Sequence, residues 1–103
     1  MASRLHTPNP RALDDILHSD TWDALIQHLH LSEREAEIVE CILRHADDEP
    51  SIAARMNISS HTVHTHLERL YRKLEVSSRS QLVTTIFITY TTLNQSETRL
   101  MSP

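Results

Sequence analysis

Glycine is absent from all 103 residues of the chain. The glycine-rich loops that cradle phosphates, and the tight turns only glycine makes cheaply, are therefore excluded. The single cysteine, Cys41, has no partner for an internal disulfide. That rules out a secreted disulfide scaffold and points to a reducing compartment, the cytoplasm. Aromatic residues make up only 4% of the chain, and its apolar runs are short and interrupted by polar residues, so no stretch reads as a membrane span. The opening "MASRLHTPNPRALDD" lacks the apolar core of a signal peptide. No nucleophile elbow and no metal-plus-acid motif is present, so neither an enzyme nor a cofactor is expected. The length suits one small domain whose core can be stable without disulfides or metals, though with a thin margin. With β-branched residues concentrated in one place, the composition predicts an all-α protein.

The formal net charge of −4 is wrong for a nucleic-acid binder taken as a whole, but it is unevenly distributed. Residues 1–50 carry four Arg against eleven Asp or Glu, a net of −7, and residues 51–103 carry five Arg and one Lys against three Glu, a net of +3. One half can attract phosphates while the other repels them.

Several local signals divide the chain into short helices. The first ten residues hold two prolines and no apolar period and read as a mobile arm. Leu13, Ile16 and Leu17 then sit at helical spacing, and Asp20 with Asp23 is placed to cap a short helix burying Trp22, Leu25, Ile26 and Leu29. Ser32 followed by Glu35 forms a capping box, with Leu31 and Ala36 as its hydrophobic staple. That helix carries Val39, Ile42 and Leu43 and ends near His45. Asp48 can cap the next helix, where Pro50 is tolerated in the first turn; Ile52, Ala53 and Met56 would face inward. A break at Asn57-Ile58 follows, since Asn accepts the left-handed conformation. Ser59 caps a helix whose Val63, Leu67, Leu70 and Leu74 form one stripe. Ser78 with Gln81 reads as another capping box, opening a helix over Leu82, Val83, Ile86, Phe87 and Tyr90. Its run "VTTIFITYTT" also suits a strand, but the cap and the apolar spacing favour helix. Cys41, on a helix among apolar neighbours, reads as a buried small residue rather than a reactive thiol.

The stretch "SSHTVHTHLERLYRKL" poses the functional question, with histidines at 61, 64 and 66. A metal site is disfavoured: His61 and His64 share a face, His66 points elsewhere, and no Cys or carboxylate completes a zinc ligand set. The two histidines of "HLH" at 28–30 lie about 200° apart on a helix. Use of His61 and His64 on a groove-facing surface weighs more than metal binding, with task-free solvated surface as the bland alternative. The Leu stripe is core, not a cofactor box, and the acids of "EREAEIVE" are mostly a solvated face.

Two consecutive helices joined by a short turn, the second polar on one side, describe a helix-turn-helix. Here "LSEREAEIV", "IAARMNISSHTVHTHLERLYRKLEV" and "SRSQLV" resemble, in order and spacing, the LuxR-type (GerE-like) helix-turn-helix domain family. The resemblance covers residues 27–92. It divides the chain into an N-terminal arm with one or two extra helices (1–26), the domain itself (27–92) and a flexible C-terminal tail (93–103). Residues 1–26 leave no room within this chain for a receiver or ligand-binding domain. The resemblance implies a four-helix domain that binds duplex DNA and regulates transcription, with the helix after Ser59 in the major groove and the helix after Ser78 supplying a homodimer contact. It places Ser59, Ser60, His61, Thr62, His64, Thr65, His66, Glu68, Arg69, Arg72, Lys73 and Arg79 at the DNA. His64 stands where the family usually has a basic residue. His64 and Thr65 would touch base edges, and Glu68 would accept from a cytosine amino group. Arg69, Arg72, Lys73 and Arg79 would meet phosphates. Leu82, Ile86, Tyr90 and Leu93 would form the dimer interface; the bland alternative has Trp22 and Leu25 of the N-terminal helices covering that patch within one chain. Where the family usually has glycine, this chain has Ala46 or an adjacent acid, Asn57 and Glu75, which predicts a remodelled cap at Glu75. A regulatory protein partner, or a protein-interaction module on the same fold, is the alternative reading.

Overall fold

A computed structural model describes the backbone of residues 14–101 and the side chains as far as Leu93. The proposed arm at residues 1–10, and Leu13, lie outside the described residues. Five helices follow a short helical turn at 14–16: α1 (Ser19–Leu29), α2 (Glu33–His45), α3 (Glu49–Met56), α4 (Ser60–Leu74) and α5 (Arg79–Met101). No strand occurs among the described residues, in agreement with the all-α expectation.

The caps behave mostly as local chemistry dictates. Ser32 Oγ accepts from the Glu35 N–H at 3.1 Å and Glu35 Oε1 accepts from the Ser32 N–H at 2.8 Å, closing the capping box that starts α2. The staple residues Leu31 and Ala36 are both buried. Asp48 caps α3 by accepting from the Ser51 N–H at 3.0 Å, with Pro50 in the first turn. Ser59 caps α4 by accepting from the Thr62 N–H at 3.0 Å. Two expectations fail. Asp20 lies within the first turn of α1, whose N-cap is His18 without a side-chain bond; the Trp22 N–H reaches the His18 carbonyl at 2.8 Å, so the helix begins two residues earlier than an Asp20 cap allows. At α5, Ser78 Oγ accepts from the Gln81 N–H at 3.2 Å, but Gln81 Oε1 reaches back to the Ser77 N–H at 2.7 Å. Only half of the reciprocal box forms.

The helix ends dispense with glycine. His30, Ala46, Asn57 and Glu75 take left-handed backbone with φ of 56°, 52°, 57° and 58°. The expected remodelling at Glu75 does not occur: its N–H bonds the Arg72 carbonyl at 3.2 Å and the Val76 N–H bonds the Tyr71 carbonyl at 2.9 Å. These bonds satisfy the carbonyls that a helix end leaves open. They hold a side-chain-bearing residue where left-handed geometry costs roughly 1–2 kcal/mol.

One core joins all five helices. Ile16, Leu25, Leu31, Ala36, Ile38, Val39, Ile42, Ile52, Ala53, Val63, Leu67, Leu70, Leu82 and Ile86 are buried together. Trp22, Ile26 and Leu29 from α1 pack against it half-buried. α4 sits against both α2 and α3, and α1 lies against α5. The run "VTTIFITYTT" is helical, and its β-branched threonines bond back to the preceding turn, Thr89 Oγ1 to the Thr85 carbonyl at 2.8 Å and Thr91 Oγ1 to the Phe87 carbonyl at 3.0 Å. α5 continues to Met101, so backbone expected as a flexible tail from residue 93 is helical as far as that residue.

Candidate nucleic-acid interface

α3, a three-residue turn and α4 form the helix-turn-helix. Asn57 makes the turn possible: in left-handed backbone it lets the Ile58 N–H bond the Ala53 carbonyl at 3.0 Å. Val63, Leu67 and Leu70 then face the core, with Leu74 half-buried beside them. On a helix of 3.6 residues per turn this puts His61, His64, Thr65, Glu68, Arg69 and Arg72 on the opposite side as one outward arc. Each of these is exposed except Thr65, which is half-buried and whose hydroxyl donates to the His61 carbonyl at 3.1 Å. Ser60 is exposed at the same end, and Thr62, half-buried, shares a 2.8 Å hydroxyl contact with Ser59. His66 is half-buried at the flank.

The electrostatics of this arc were only partly foreseeable. His64 lies between two carboxylates: Nε2 is 2.7 Å from Glu68 Oε1 on its own helix, and Nδ1 is 3.3 Å from Glu49 Oε2 at the start of α3. The hydrogen bond and charge of Glu49, followed by the charge of Glu68, push the His64 pKa above its ordinary value. Arg69 and Arg72 are exposed and, among the described residues, no carboxylate lies within ion-pair distance of either. They are the unneutralised cations of the arc.

Lys73 departs from the expectation of a phosphate contact. Its Nζ is 2.6 Å from Glu35 Oε1 and donates to the His30 carbonyl at 2.9 Å, tying the end of α4 to the capping box of α2. Arg79 is likewise drawn inward, its Nη2 donating to the Asp47 carbonyl. Asp47, buried between α2 and α3, also takes Arg55 Nε at 2.5 Å. Sequence reasoning missed Glu49 and Asp47, which lie 15 and 32 residues from His64 and Arg79; no local spacing marks such pairs. Cys41 is half-buried rather than buried, and burial first, then the charge of Asp47, raises its thiol pKa. It stays a thiol, as expected of a packing residue.

The expected dimer residues need correcting. Leu82 and Ile86 are fully buried, at 0% and 1% exposure, and Tyr90 and Leu93 pack against the same core. Tyr90 also donates to Asp15 Oδ2 at 3.4 Å, beside the covering N-terminal segment. The open arc of α5 is the other one, a shallow apolar groove of about 420 Å³ lined by Val83, Thr84, Phe87, Ile88, Thr91 and Thr92. Ile88 is 60% exposed.

A capped helix pair joined by a left-handed turn, with a buried stripe and a polar outward arc on the second helix, defines the helix-turn-helix class. Residues 29–86 match the family described as bacterial regulatory proteins, luxR family. The match spans more than half of the chain, which belongs to this family. A candidate HTH-type transcriptional regulator of Escherichia coli (strain K12), YhjB, is 45% identical over 51 residues, covering 50% of this chain and 25% of that protein. The chain thus spans about a quarter of its relative's length. No solved structure matches.

Proposed function

We propose that the chain is a transcription regulator that binds duplex DNA in the cytoplasm, with α4 in the major groove. The observation that carries this is the single outward arc of α4, where His61, His64, Thr65, Glu68, Arg69 and Arg72 stand together opposite a fully buried stripe. Ser59, Ser60 and Thr62 bring the N-terminus of α4 to the DNA, and His66 flanks the backbone. Arg69 and Arg72 supply the phosphate term. Two protomers would pair through the Val83, Phe87 and Ile88 arc of α5, since an exposed apolar patch of this kind favours association and a two-fold pairing presents two α4 helices about 34 Å apart. A mobility-shift titration with random duplex at low salt should show binding. Four unneutralised arginines in a dimer give a log–log salt slope of about −4. Absence of binding at low salt overturns the proposal. Ile88→Lys should yield folded monomers with weaker binding, read by light scattering; an unmodified chain that is monomeric at high micromolar concentration overturns the dimer.

A second reading, a protein-interaction module on the same fold, is favoured by one observation: Glu49 and Glu68 flank His64 on the arc, while Lys73 and Arg79 are engaged by groups of the protein itself. A co-purifying protein partner together with no DNA retention would select it.

A further inference from the structure

The major-groove arc carries an acid at its centre, and the structure shows that this acid is held. Glu68 stands at the middle of the outward face, one turn after His64 and flanked by Arg69 and Arg72. Its Oε1 is engaged by His64 Nε2 at 2.7 Å, while the other ring nitrogen of His64 is 3.3 Å from Glu49 Oε2 on the preceding helix. Resting on the DNA-binding reading above, we infer that Glu68 is a specificity-determining residue that selects cytosine, and that His64, anchored by Glu49, is the positioning residue that orients its carboxylate.

A carboxylate only accepts hydrogen bonds. In the major groove guanine offers the acceptors N7 and O6 and thymine the acceptor O4, all repulsive to a carboxylate, whereas cytosine offers the N4 amino donor and no acceptor at that edge. Adenine offers a donor beside an acceptor and is the weaker match. With Oε1 taken by His64, Oε2 is the oxygen left for a base. The imidazolium form of His64 donates to both carboxylates at once; neutral imidazole can donate to one only and turns a lone pair toward the other. The charged groups acting on His64 are Glu49 from α3 and Glu68 from its own helix. Protonated His64 therefore fixes the Glu68 side chain and also lowers the net negative charge that the trio presents to the phosphates.

The test begins with selection from random duplexes using the full chain at low salt and pH about 6. A cytosine at one fixed position of the enriched sequence is expected. Dissociation constants are then compared for that duplex and one with thymine at that position. The unmodified chain should lose roughly 10- to 100-fold on the change, the range of one good base contact. Glu68→Gln should lose less than about 3-fold while still binding duplex. His64→Gln should lower the discrimination and remove its dependence on pH; in the unmodified chain discrimination should fall as pH rises from about 6 to 8 and His64 deprotonates. Selection without a fixed cytosine, or a cytosine preference unchanged in Glu68→Gln, overturns the assignment of Glu68 and leaves the DNA-binding reading standing. A discrimination that is flat with pH in the unmodified chain overturns the role of His64. No duplex binding by any variant overturns both readings.

Discussion

Replacing Lys73 by Met tests whether this lysine braces α4 or contacts phosphate. Its ammonium lies 2.6 Å from Glu35 Oε1, an atom that also accepts from the Ser32 N–H at 2.8 Å. The Glu35 side chain is 8% exposed and that of Lys73 is 37% exposed. A charged hydrogen bond of this kind contributes roughly 1.5–3 kcal/mol when well buried. Solvent around Lys73 screens it, which reduces the expected loss to about 1–2 kcal/mol. For a domain of this size that lowers the thermal midpoint by roughly 4–16 °C at pH 7. The pH dependence carries a sign. Burial alone would raise the Glu35 pKa, but the hydrogen bond from Lys73 and those from Ser32 hold it below its ordinary value of 4.5. A depressed carboxyl pKa contributes stability that is present above 4.5 and lost as pH falls through the folded value. The deficit of Lys73→Met should therefore be full at neutral pH and shrink as the solution is acidified past that range. In a double-mutant cycle with Glu35→Gln the two losses should not add. Circular dichroism melts at pH 7 and about 3.5 make the measurement, and the DNA salt slope should be unchanged. A midpoint within about 1 °C of the unmodified chain at pH 7, together with a salt slope about two units shallower for the dimer, would refute the bracing role and restore the phosphate contact.

Three further outcomes are expected. Leu70→Ala empties a fully buried site on α4 and should destabilise by about 2–5 kcal/mol, enough to unfold much of so small a domain; an unchanged thermal midpoint would contradict the assigned face. Glu75→Gly relieves the left-handed backbone at φ 58° and should raise stability by about 0.5–1 kcal/mol in a denaturant titration, a loss of stability refuting the strain argument. DNA affinity should rise as pH falls from about 8 to 6, because the carboxylates of Glu49 and Glu68 keep His64 protonated to higher pH than usual and its charge lowers the net negative charge of that trio; His64→Gln should flatten that profile, and equal affinity of the unmodified chain at both ends removes His64 from the electrostatic account.

The elements legible in the sequence are those whose partners lie three or four residues away. Ser32 with Glu35, Asp48 with Ser51, and Ser59 with Thr62 each satisfy helix N–H groups through short-range geometry, so the starts of α2, α3 and α4 follow from residue type and spacing. The stripe of Val63, Leu67 and Leu70 likewise names the inner face of α4, and with it the outer arc. Asp20 does not cap α1, because the first intrahelical bond already runs from the Trp22 N–H to the His18 carbonyl, which puts Asp20 inside the first turn. Local reasoning also favoured strain relief at Glu75, yet the Schellman-type bonds at the helix end hold it in left-handed backbone.

On α5, by contrast, both arcs are apolar, so periodicity alone leaves the choice of inner face open. Packing against the N-terminal segment buries Leu82 and Ile86 and draws Tyr90 and Leu93 against the core, while Ile88 is left exposed with the half-buried Val83 and Phe87 at the edge of the open groove, which moves the proposed dimer contact to the other side of the helix. The fate of the charges was decided the same way. Lys73, Arg79 and His64 look equally available along the chain, but the crossing of α4 over α2 and α3 brings Lys73 to Glu35 and His64 to Glu49, and the start of α5 brings Arg79 to the Asp47 carbonyl. Arg69 and Arg72 remain on the open side. Short-range hydrogen bonds and periodicity are properties of the chain itself, so they determined where most helices begin and which side of α4 is core. Which charges face solvent, and which face a carboxylate, depends on distances between residues far apart in sequence, and only the packed helices set those distances.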